Sequence, residues 1–160
     1  MQDRVTADDP FALERFVAAQ APVYETVVRE LEAGHKRTHW MWFVFPQLRG
    51  LGRSATAEFF GITSLAEART YLLHPELGTR LVDCVQILLA LRGRSLDAIF
   101  GRPDDRKFRS SMTLFDIAAN APQSVFREAL RRYCEGVADE QTLTLLGPAF
   151  GSRAAPRAEP

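Results

Sequence analysis

The 160-residue chain has little sulfur, no excess charge and no long apolar run. Two cysteines, Cys84 and Cys134, are too few for a disulfide framework, and neither has a second Cys or His at ligand spacing. They read as buried free thiols in a reducing cytosol, so the expected compartment is the cytoplasm. The chain starts Met1-Gln2-Asp3-Arg4 and runs into acids, so no secretory signal is expected. The longest nearly uncharged apolar stretch, Trp40 to Phe45, falls far short of the ~20 residues of a membrane span. No membrane partner is expected. Twenty Lys+Arg cancel twenty Asp+Glu. That excludes a whole-surface polyanion binder, and double-stranded nucleic acid with it. No Gly-x-Ser-x-Gly elbow occurs, and His35 and His39 lack a third ligand at zinc spacing. No metal and no cofactor is expected.

What is present is a helix former's vocabulary. Hydrophobic residues make up 46% and charged residues 25%, an ordinary globular composition. A chain of this length buries roughly 70% of its unfolded surface without a disulfide or a metal. Asp8-Asp9-Pro10 opens a helix carrying Leu13, Phe16, Val17 and Gln20. Pro22 opens a second, striped with Tyr24, Val27, Val28 and Leu31 and ended by Gly34. Ser54 caps a short helix through Phe60, and Ser64 caps another that His74-Pro75 closes. The longest helix spans about Pro75 to Leu91. Ser95 begins a turn of helix to Phe100. A helix from Asp104 to Asn120, interrupted or re-capped at Ser110-Ser111, follows. Pro122 starts the next, and Asp139 caps the last. Only Trp40 to Phe45 admits a buried strand, and a lone strand has no partner. The fold class is therefore all-α: one domain over 8–147, with seven to nine short, non-uniform helices rather than a regular four-helix bundle. A flexible tail is expected over 148–160.

Both tryptophans fall in one segment, residues 36–54. Trp40, Trp42, Phe43 and Phe45 are costly to leave in water and point to core. His39, Gln47 and Arg49 are woven among them, and any that is buried needs a hydrogen-bond partner. His39 beside Trp40 fits a structural histidine. It is also the candidate acid/base group, because histidine titrates near neutral pH. Gly50-Leu51-Gly52-Arg53-Ser54 follows. Two glycines before a helix start let amide N–H groups converge on an anion. The same residues also read as a tight turn with Ser54 as a plain N-cap, and they lack the Gly-Lys-Ser/Thr ending of a P-loop.

Charge is distributed unevenly. Residues 35–57 hold Lys36, Arg37, Arg49 and Arg53 and no acid, whereas residues 1–34 hold seven acids and three basic residues. A second cluster, Asp104 to Thr113, places Arg106, Lys107 and Arg109 before Ser110 and Ser111. The two serines read either as part of an anion site or as helix caps.

The runs Lys36 to Ser54, Tyr71 to Gly78, Ile99-Phe100-Gly101 and Lys107 to Phe115, with Arg15 to Gln20, give a specific signature. On these the chain resembles the domain of unknown function 1810 family of bacteria and fungi, over about residues 8–147. The resemblance implies a small all-α fold and brings no activity, ligand or catalytic residue. Members sometimes carry the label calpastatin. A calpain inhibitor of that type is a disordered repeat chain, whereas this composition encodes a packed core.

The residues thus pose two functions. One is binding of a small anionic ligand, phosphorylated or nucleotide-like, by Lys36, Trp40, Trp42, Gln47, Arg49, Gly50, Gly52, Ser54, Lys107, Ser110 and Ser111. Catalysis at that site would use His39 beside a hydroxyl. The alternative is a protein-interaction or regulatory module with a protein partner and no catalysis. The first needs residues 36–54 and 107–113 to meet in space; the second needs an exposed apolar patch.

Overall fold

Capping chemistry sets most of the helix starts. In a computed structural model, which describes residues 8–148, the Asp9 carboxylate accepts from the N–H groups of Leu13 (2.7 Å) and Glu14 (2.9 Å) and launches α1, Glu14–Gln20. The second helix, α2, spans Tyr24–Glu32. Ser54 and Ser64 cap α4, Ala55–Phe59, and α5, Leu65–Leu73, each accepting from an amide three residues on. Ser95 does so for α7, Leu96–Phe100, and Asp139 for α10, Glu140–Leu146. His74 does more than end a helix. Its Nδ1 accepts from the N–H groups of Glu76 and Leu77 and so caps α6, Leu77–Ala90. Ser124, two residues after Pro122, is the cap of α9, Val125–Cys134.

Trp40 to Phe45, the one segment that admitted a strand, forms none, in keeping with its want of a partner; Met41–Val44 is a single helical turn, α3. Two local expectations are corrected. The described residues form ten helices rather than seven to nine, because single turns such as α3 count among them. The helix expected to break at Ser110-Ser111 runs unbroken as α8, Asp104–Ala119. Ser110 Oγ donates to the Arg106 carbonyl at 3.1 Å, so its hydroxyl is served inside the helix and forces no break. The tail expected over 148–160 lies, apart from Pro148, outside the described residues.

The fold is all-α, with one core. Helix α8 is its axis. Phe108 and every residue from Ser110 to Ala118 are buried, as befits a helix enclosed on most sides. It packs against α5, α7, α9 and α10. Aromatic rings join the layers. Phe45, Phe100 and Phe108 lie within 5.2–5.9 Å of one another, and Tyr71 sits 5.2 Å from Phe16 and 5.3 Å from Phe115. Such pairs add about 0.5–1.5 kcal/mol each beyond the area they bury. Helix α3 carries Trp42, which places the segment that stood out in the sequence over the start of α8.

Candidate functional site

The two basic segments meet. Lys36 Nζ lies 2.8 Å from Asp104 Oδ2, and Lys107 Nζ lies 3.1 Å from Asp104 Oδ1. Each ammonium also rests over a tryptophan: Lys36 is 5.2 Å from the Trp40 ring centroid and Lys107 is 4.0 Å from that of Trp42. Burial alone would raise the Asp104 pKa. The hydrogen bonds and positive charge of the two lysines outweigh it and hold the carboxyl below its ordinary value.

The tryptophans part company here. Trp40 is sealed, with 1% of its surface exposed, and its Nε1 donates to Glu30 Oε1 at 2.8 Å. Sealed in this way, it has no open face for the anionic ligand it was expected to contact. Glu30 is a hub, also accepting from the N–H groups of Arg37 and Thr38 and from the Thr38 hydroxyl. Burial would raise its pKa, but these donors bring it below the ordinary value. Trp42 is half-buried. Its ring packs against Gly52: a Cβ there would stand 3.1 Å from ring carbon Cη2 and 2.7 Å from the Ala57 Cβ. Gly52 is thus required by close approach, and Gly50, at φ +106°, by backbone conformation.

A short bridge holds the loop that carries these glycines. The Gln47 carbonyl accepts from Ile62 N–H (2.9 Å) and Arg49 N–H donates to the Ile62 carbonyl (2.8 Å). Behind it, Arg15 is buried and commits all five donors. They go to the carbonyls of Phe59, Phe11, Ala12 and Gly61 and to Glu67 Oε2 at 2.9 Å. Two of those carbonyls flank the end of α4. The Arg15–Glu67 pair therefore fixes the far side of the same loop. Sequence reading missed both residues, as it missed Glu30 and the role of Asp104. The one available cue was their position in otherwise apolar helix faces.

The other expected site residues divide. Arg49 and Gly50 are exposed, and Arg53 beside them is too. Ser54 is occupied as the α4 cap. Gln47 and Ser110 are buried, at 7% and 6% exposure. Ser111 is fully enclosed, and its Oγ has no hydrogen-bond partner. Burial leaves these three little surface to offer a ligand. His39 is exposed, and no hydroxyl among the described residues bonds to it, so the acid/base reading gains no relay. The thiols are not poised nucleophiles: burial pushes Cys84 up to about 12 and raises Cys134. Among the described residues no group of three His, Cys, Asp or Glu could hold a metal, and no helix is long and apolar enough to cross a membrane.

A separate groove of about 530 Å³ lies between α6 and α9, lined by Leu89, Ser124, Val125, Arg127 and Arg131 among others. It shares no residue with the Trp42 cluster. This groove and the Trp42 cluster are in different places, and the convergence of charge and aromatic surface at Trp42 is the stronger sign of a site.

Fold and site together define an all-α domain built on one buried helix, with a lysine–tryptophan cluster at that helix's start. The chain belongs to the family described as "Protein of unknown function (DUF1810)", which matches residues 10–146. It is similar to the conserved hypothetical protein Rv1873 from Mycobacterium tuberculosis, known from a crystal structure. The two are 56% identical, with a TM-score of 0.84, over 86% of this chain and 98% of that one. No curated protein matches the chain.

Proposed function

We propose that the protein binds a small anionic ligand, phosphorylated or nucleotide-like, at the surface formed by Trp42, Lys107 and the Gly50–Gly52 loop, with Arg49 and Arg53 on its rim. One observation carries this reading. Lys107, from one basic segment, lies 4.0 Å over Trp42, from the other, while Gly52 packs against the same ring. An ammonium over a half-buried indole, beside a glycine loop with two exposed arginines, offers a flat apolar face and cations at one place. Arg49 and Arg53 form no ion pair among the described residues, so their charge is available. A cytoplasmic setting goes with it, since Cys84 and Cys134 are free and buried.

The interaction-module alternative has less support. Among the described residues only Leu73 and Leu145 are large, apolar and exposed. They belong to different helices, and single exposed leucines are ordinary surface.

A thermal-shift screen over nucleotides and sugar phosphates, run on wild type and on Arg49→Ala, tests the proposal. A stabilising ligand whose effect is lost or reduced in the variant is expected. A hit that survives Arg49→Ala unchanged argues against this site.

A further inference from the structure

Asp104 lies between the two lysines of the cluster. Its two carboxylate oxygens reach one lysine each, at 2.8 and 3.1 Å, and its side chain is 17% exposed. Lys36 is more enclosed still, at 8%. Two ammonium groups facing one carboxylate leave a net positive charge, with indole faces behind both cations. We propose that Asp104 is a built-in competitor, and that the ligand class admitted is a dianionic phosphomonoester that displaces its carboxylate from Lys36 and Lys107.

The inference presupposes the anion site at Trp42 and adds its selectivity. A monoanion offers the lysines no more charge than Asp104 already does, and Asp104 is tethered, so its effective concentration is high. A phosphomonoester carries about −1.5 to −2 charges at pH 7 and three acceptor oxygens, enough to satisfy both ammonium groups. The displaced carboxylate keeps a favourable place. Asp104 is the first residue of the 16-residue α8, where the helix N-terminus favours negative charge. The exchange trades an internal pair for an external one without stranding the acid. Apparent affinity is reduced by the fraction of molecules in which Asp104 already holds the lysines, and removing its charge removes that reduction.

The test is calorimetric titration of wild type and Asp104→Asn with phenyl phosphate and with phenyl sulfate, its monoanionic analogue, at equal ionic strength and pH 7.5. Wild type should prefer the phosphate. Asp104→Asn should bind phenyl sulfate at least about tenfold tighter than wild type does, so that the preference narrows. If wild type binds phenyl phosphate but the variant binds both probes no better, the competitor role is overturned and the anion site stands. If neither protein binds either probe, the site falls and the competitor role with it. Should Asp104→Asn fail to fold, the carboxyl carbon resonance of Asp104 in wild type gives the reading. It moves on saturation with phenyl phosphate when the carboxylate is displaced; an unmoved resonance overturns the inference.

Discussion

Lys107 stands over Trp42 at 4.0 Å while its Nζ also pairs with Asp104. One side chain therefore covers the half-buried tryptophan and ties the turn α3 to the first turn of α8. Lys107→Ala removes a partly exposed cation–π contact and one arm of the Asp104 pair. The expected loss is about 1 kcal/mol of stability, read by urea denaturation. Trp42 emission should shift to the red as the ring loses its cover. Unchanged emission would show that Lys107 does not hold that position.

The buried pair Arg15–Glu67 should matter far more. Arg15→Met leaves Glu67 charged, enclosed and short of a partner, at a cost of about 3–5 kcal/mol. Adding Glu67→Leu should recover part of the loss, because the stranded charge goes with it. Denaturation midpoints of the two single variants and the double variant measure this. Simple additivity would mean the pair is not coupled.

Acid should weaken the fold through Glu30 and Asp104. Both carboxyls sit below their ordinary values in the folded chain, so on acidification the unfolded chain takes up protons first. Their stabilisation is complete above the unfolded carboxyl range, about pH 4, and is lost as pH falls through the lower folded values. Melting temperature against pH should show Glu30→Gln with a shallower acid limb than wild type. Parallel limbs would remove Glu30 from the account.

Gly61 supplies a test of how the loop is held. A Cβ there would stand 2.6 Å from the Arg49 Cβ and 2.7 Å from its Cα. Gly61→Ala must push the Arg49 backbone away, so it should lower the melting temperature and weaken any ligand that needs Arg49. Gly93→Ala, at a position with nothing within 4 Å but φ +72°, should lower melting temperature while leaving binding intact. Equal effects of both on binding would separate Gly61 from the site.

Local chemistry explains what was legible in the sequence. Helix starts at Ser54, Ser64, Ser95 and Asp139 could be read because a cap acts within three residues. The all-α class followed from period and from the want of a second strand. Trp40 to Phe45 was ambiguous because a six-residue apolar run fits a buried strand or a buried turn of helix equally. Ser110 and Ser111 misled because a hydroxyl can cap a helix or bond back within one, and only the neighbouring turn decides. In the lysine–tryptophan cluster, Lys36, Trp42 and Lys107 were singled out from local composition, and the fold brings them together around Asp104. Asp104 and Glu30 were not singled out, because their partners Lys36, Arg37, Thr38 and Trp40 lie outside the helix that carries each acid, beyond the reach of helical spacing. Asp104 meets Lys36 across 68 residues, a pairing that requires the Lys36 segment to dock on α7, where Lys36 N–H donates to the Ile99 carbonyl at 2.7 Å.

The most direct measurement of the central claim is a fluorescence titration with adenosine monophosphate. Trp40 and Trp42 are the only tryptophans, and Trp40 is sealed, so a change in emission on binding reports Trp42. Saturable quenching in wild type, lost in Lys107→Ala and weakened in Arg49→Ala, is the predicted result. No saturable change with adenosine monophosphate or ribose 5-phosphate, or quenching that both variants retain in full, would contradict it.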